Sequence, residues 1–159
     1  MVKLTYYDWG DVMIQKMREE YKEKMSRENH VYRICWKLYD ELTDLFCNEG
    51  SISEAFKTFL VQLERQREEQ YSRHYNWGCA MECGTVLDNQ PEDEWIAGQR
   101  MAAEARKSVE RVMKSCSEEM LMLWKLFCRV EAYCRTQEAA YMCVLGMEEA
   151  QKKNDIHPL

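Results

Sequence analysis

Apolar residues recur at three- and four-residue intervals along most of the chain, and that spacing predicts helices. Trp9, Val12, Met13, Met17 and Tyr21 share one face of a first helix from about Asp8 to Met25, with Glu19, Glu20, Lys22 and Glu23 mostly opposite. Val31, Ile34, Cys35, Leu38, Leu42, Leu45 and Phe46 mark a second, capped by Asn29 and stopped by Gly50. Ser51-Ile-Ser-Glu54 reads as a capping box opening a third, whose inward face carries Ala55, Phe56, Phe59, Leu60 and Leu63. The next turns, Glu64 to Gln70, hold no apolar residue. Extending the stripe through them reaches Arg67, Tyr71, His74, Gly78 and Met81, so this helix either runs past residue 80 or kinks near Gly78.

Pro91, followed by Glu92, Asp93 and Glu94, starts a fourth helix that buries Trp95, Ala102, Ala105, Val109, Val112 and Met113. Ser115-Cys-Ser-Glu118 is a second capping box. A turn is therefore expected there, in place of one helix of about 60 residues and about 90 Å. The fifth helix, about Ser117 to Lys152, is apolar almost all round between Met120 and Val130, which predicts a central position. Residues 154–159 are expected to fray. The whole reads as an all-α bundle of four to five helices with no β-sheet. It is one domain over 1–159, with 1–89 and 90–153 as candidate halves.

Composition narrows the class. With 46% hydrophobic and 31% charged residues but only 6 Gly and 2 Pro in 159, the chain is neither collagen-like nor disordered, and too poor in turn residues for an all-β fold. A net charge of −6 disfavours non-specific binding to nucleic acid or anionic membranes. No stretch nears the roughly 20 apolar residues that span a bilayer, and the N-terminus lacks a secretory pattern. The expectation is a cytoplasmic protein with reduced cysteines and no membrane partner.

Little points to catalysis. There is no Gly-rich phosphate loop, G-x-S-x-G, H-E-x-x-H or EF-hand loop, so no catalytic residue is assigned. Cys79 and Cys83 are four apart, but no second close pair accompanies them, and neither His30 nor His74 has the Glu three residues before it that a di-metal bundle needs. No metal or cofactor is expected, and the eight cysteines read as packing residues. A ligand- or metal-binding bundle around His74, Cys79 and Cys83 stays as a third reading. Glu131 and Glu138, seven apart on the apolar fifth helix, need partners if buried, and Arg65 or Arg67 of the third helix could supply them. Gly78, Cys79, Ala80, Cys83 and Gly84 make a small surface suited to a tight helix crossing.

Five Trp, nine Tyr and eleven Met exceed what a small core readily hides. Such residues favour interfaces. The leading expectation is a non-enzymatic interaction or regulatory factor, an adaptor or inhibitor that docks an aromatic-rich helical face onto another protein. By analogy of type, small acidic phage and mobile-element inhibitors of host defence have this character. The candidate contacts are Tyr6, Tyr7 and Trp9 near the N-terminus and Arg73, Tyr75 and Trp77 late in the third helix. The partner is another protein, or a second copy in a homodimer. The alternative is a nucleic-acid-binding subunit using Arg100, Lys107, Arg111 and Lys114, one stripe on the fourth helix, although Glu104 and Glu110 interrupt its charge.

Overall fold

The structure, a computed structural model, describes residues 6–46, 50–84 and 92–156, with side chains over 13–46, 52–84 and 96–153. Five helices follow in order: α1 (Tyr6–Glu28), α2 (His30–Phe46), α3 (Gly50–Cys83), α4 (Glu92–Met113) and α5 (Glu118–Ile156). Among the described residues there is no strand, as the apolar spacing predicts.

The helix ends show where the sequence signals act. Asn29 alone separates α1 from α2: it stands at the N-cap of α2, and its N–H donates to the Met25 carbonyl at 2.9 Å. Gly50 does not stop α2 but is the first residue of α3, and residues 47–49 and the Ser51 side chain lie outside the described residues. The third helix is continuous through its polar turns and Gly78. It ends at Gly84, whose φ of 67° is open to glycine without strain and whose N–H reaches the Met81 carbonyl at 3.4 Å. A turn does separate α4 from α5, but its cap is Ser117, not Ser115. Ser117 Oγ accepts the Met120 N–H at 3.3 Å, whereas the Ser115 hydroxyl turns back to the Val112 carbonyl. Capping at Ser117 places Glu118 and Glu119 in the first turn, beside the positive end of the helix dipole.

The chain divides into two compact units, Met1–Asn29, Gln70–Asn89 and Thr136–Leu159 (unit 1) and His30–Glu69 and Gln90–Arg135 (unit 2). Unit 2 holds α2, the first part of α3, α4 and the first part of α5. Its core is aromatic: fully buried Trp124 meets Phe59 edge-on at 5.0 Å and Phe56 at 6.2 Å, and Phe56 meets Phe46 at 5.0 Å. Each such contact adds about 0.5–1.5 kcal/mol beyond area burial. The face of α2 that is buried runs Tyr32, Cys35, Leu38, Leu42 and Phe46. Leu45, expected inside, is exposed because it falls at the edge of that arc.

Unit 1 holds α1, the second part of α3 and the last part of α5. Ile14, Tyr71, Tyr75 and Met142 form its core, with Met13, Met17 and Tyr141 packed against them. The buried face of α1 is Ile14, Arg18 and Tyr21, rotated from the expected Met13, Met17 and Tyr21. The Arg18 guanidinium lies 4.6 Å from the centroid of the Tyr71 ring, a cation–π contact within the core.

Candidate functional site

The run Arg73-His-Tyr-Asn-Trp77 lies on α3 within unit 1, and the helix sorts it by face. Tyr75 points into the core and is 6% exposed, so it leaves the set of surface contacts. Tyr75 follows Tyr71 by four residues, and both join the same buried cluster. Trp77 is turned outward and 38% exposed. It is braced by two side chains of the preceding turn. The Arg73 guanidinium lies 5.1 Å from the indole centroid, and the His74 ring lies 4.9 Å from it at 58°. His74 is itself fixed, with Nδ1–H donating to the Gln70 carbonyl at 2.9 Å. One turn further on, Met81 is 66% exposed, although the extended stripe predicted it inside. The stripe rotates away from the core by that point, since Tyr75 and Gly78 are the residues buried there. Arg73, Trp77 and Met81, four apart, therefore make one outward ridge.

The side chains of Tyr6, Tyr7 and Trp9 lie outside the described residues, although α1 begins at Tyr6. Arg100, Lys107 and Arg111 on α4 are exposed, and so is Lys114, which was expected on the same helix but lies in the turn just after it. Arg111 bonds Ser108 at 3.4 Å, and the adjoining Arg106 and Glu110 pair at 3.2 Å. The fifth helix is not covered all round. Trp124, Phe127, Cys128 and Glu131 are buried, but Met122, Leu126 and Tyr133 are 70%, 48% and 53% exposed. A helix whose sequence is apolar on every face gives no sign of which face stays open.

The small-residue surface does what its composition implies. A Cβ added at Gly78 would overlap the Cys143 carbonyl, and one at Gly146 would overlap the Tyr75 carbonyl, so α3 and α5 approach backbone to backbone in unit 1. Gly146 had no separate signal, sitting within a mostly apolar helix. Cys79 donates its thiol to the Gly146 carbonyl at 3.2 Å, and burial raises its pKa against the opposing field of Lys153. The thiol is held protonated, a poor ligand and a poor nucleophile. Among the described residues no group of three His, Cys, Asp or Glu is placed to hold a metal, and His74, Cys79 and Cys83 form none. The seven described cysteines are free thiols, and no described helix is long and apolar enough to cross a membrane.

The two carboxylates of α5 have structural partners. In unit 2, buried Glu131 takes Arg67 Nε at 3.3 Å and Arg135 Nε at 3.6 Å. Of the two arginines the sequence pattern offers, Arg67 is the partner, whereas Arg65 pairs with Glu69 at 3.7 Å. In unit 1, Glu138 accepts the Tyr71 hydroxyl in a short hydrogen bond. No match to the chain is found among protein-family models, curated proteins or solved structures.

Proposed function

We propose that the chain is a non-enzymatic protein-interaction factor, an adaptor or inhibitor, that inserts the Trp77–Met81 ridge of α3 into an apolar groove on a partner protein. The observation that carries this is Trp77 itself, exposed yet packed against Arg73 and His74. An aromatic anchor already fixed in place loses little side-chain entropy on docking, and Trp and Arg are the residues most enriched at interface hot spots.

The test compares wild-type chain with Trp77→Ala and Met81→Glu as baits in nuclease-treated lysate. Both positions are exposed, so circular dichroism should match wild type. The reading expects a stoichiometric protein that wild type retains and both variants lose, with reconstituted binding weakened by at least about tenfold. A partner held equally by all three baits sinks the ridge.

A second reading has one observation in its favour, the four exposed cations Arg100, Lys107, Arg111 and Lys114. It expects nucleic-acid binding that falls steeply with salt and is lost when these residues become Glu. Recovery abolished by the nuclease step would shift the weight to it.

A further inference from the structure

Unit 2 contains a cleft that the docking ridge does not use. Its volume is about 360 Å³, and it lies between α3, α4 and α5. Part of its lining is apolar: Phe59 and Leu63 from α3, and Ala102 and Ala103 from α4. The small alanine side chains leave the space open. The rest is cationic in balance. Arg106, Lys107 and Arg135 line the cleft together with Glu110 and Glu131. Each arginine is braced at Nε by a carboxylate, Arg106 by Glu110 at 3.2 Å and Arg135 by Glu131 at 3.6 Å. Arg135 is fixed a second time, donating Nη1–H to Gln66 Oε1 at 2.5 Å. Glu131 is also paired with Arg67 behind the lining, and the lining itself carries three cations against two carboxylates. Lys107 has no ion-pair or hydrogen-bond partner among the described residues.

We infer that this cleft binds a phosphate monoester with an apolar, ring-sized body, the phosphate held by Arg106, Lys107 and Arg135 and the body resting on Phe59, Leu63 and Ala103. The sign of the charge fits: a phosphate monoester is anionic at neutral pH, and cations outnumber carboxylates in the lining. The donor set fits as well, since guanidinium forks and a lysine point charge are complementary ways of holding phosphate oxygens. The volume is too large for phosphate alone and falls within the roughly 300–1,000 Å³ of organic-ligand sites. Bracing at the arginine Nε atoms prepays the ordering of two long side chains.

The test is titration calorimetry of the full chain with phenyl phosphate, inorganic phosphate and phenol at fixed ionic strength. Phenyl phosphate is expected to bind one to one, and each fragment alone at least about tenfold more weakly. Lys107→Glu should weaken phenyl phosphate by about tenfold or more. Ala103→Leu, which fills the cleft without changing charge, should abolish binding. Both substitutions are at exposed positions, and circular dichroism verifies the fold of each. The inference is overturned if phenyl phosphate shows no binding at millimolar concentration, if inorganic phosphate binds equally well, or if Ala103→Leu binds like wild type. Trp77→Ala should bind phenyl phosphate unchanged, which separates failure of the cleft from failure of the docking ridge.

Discussion

Helices α3 and α5 meet in both units, and each unit solves that contact in its own way. In unit 2 large rings fill it, Phe56 and Phe59 against Trp124. In unit 1 Gly78 and Gly146 remove the side chains, and the backbones close up. The buried carboxylates differ in the same manner. Glu131 in unit 2 is met by two full positive charges, Glu138 in unit 1 by a neutral phenol whose ring carries Arg18 on its face. Side-chain size thus sets how the two helices meet, ring against ring in unit 2 and backbone against backbone in unit 1. A buried carboxylate can be kept either by direct neutralisation or by a hydrogen bond under a more distant cation.

The first way to break this comparison gives the largest effect. Glu131→Met leaves Arg67 and Arg135 without their carboxylate. Removing one member of a buried ion pair costs about 3–5 kcal/mol. Tyr71→Phe removes only the hydroxyl donated to Glu138 and should cost about 1–3 kcal/mol, the range for leaving a buried acceptor unpaired. Urea unfolding of both variants measures the two losses. Equal losses would mean that the carboxylates are held in equivalent ways.

Some of this was legible in the sequence. The 3.6-residue period carries the all-α class and the five helices because burial of one stripe per helix is what makes these segments helical at all. An arginine partner for Glu131 was legible as Arg65 or Arg67, and the structure selects Arg67, which continues the α3 stripe. Gly78 was legible as part of a small-residue surface. Tyr75 was not: the stripe was extended along Tyr71, His74 and Gly78, whereas Tyr71, Tyr75 and Gly78 are the residues buried. Spacings of three and four both continue a helical stripe, and only the packed neighbour chooses between them. The cleft was out of reach, because its lining comes from three helices whose relative order no periodicity records.

The thiols sharpen the comparison at intermediate size. Burial is the main cause that pushes Cys128 of unit 2 from 9.0 to about 12, with Glu131 and Glu110 adding to it and Arg106 and Arg135 opposing. The folded chain keeps this proton where the unfolded chain has lost it. Its contribution is therefore complete below about pH 9 and falls away as pH rises toward 12, a change on the order of a few kcal/mol. Cys79 of unit 1 shifts in the same direction, by burial, with Lys153 and a hydrogen bond with Tyr75 opposing. Unfolding free energies above pH 9 should fall less steeply in Cys128→Ala than in wild type, and Cys79→Ala should change the slope less. Identical slopes in the two variants would remove the distinction between the thiols.

Two glycines give the smallest effects and the sharpest contrast, because the same substitution should change sign between units. At Gly146 the new methyl has nowhere to go: the atom in its path is the Tyr75 carbonyl, fixed in the backbone of α3. The gain in helix propensity, about 1 kcal/mol, works against an overpacking cost, and the net expectation for Gly146→Ala is a loss of about 1–3 kcal/mol. At Gly98 in unit 2 the methyl meets only the end of the Glu69 side chain, at 3.0 Å, and that carboxylate is partly exposed and free to turn aside. Gly98→Ala should therefore stabilise by about 0.5–1 kcal/mol, with little to offset the propensity gain. Thermal unfolding of both variants reads the sign directly. If Gly146→Ala were as stable as Gly98→Ala, the backbones of α3 and α5 would not be held together by the missing side chain, and side-chain size would not be what distinguishes the two contacts.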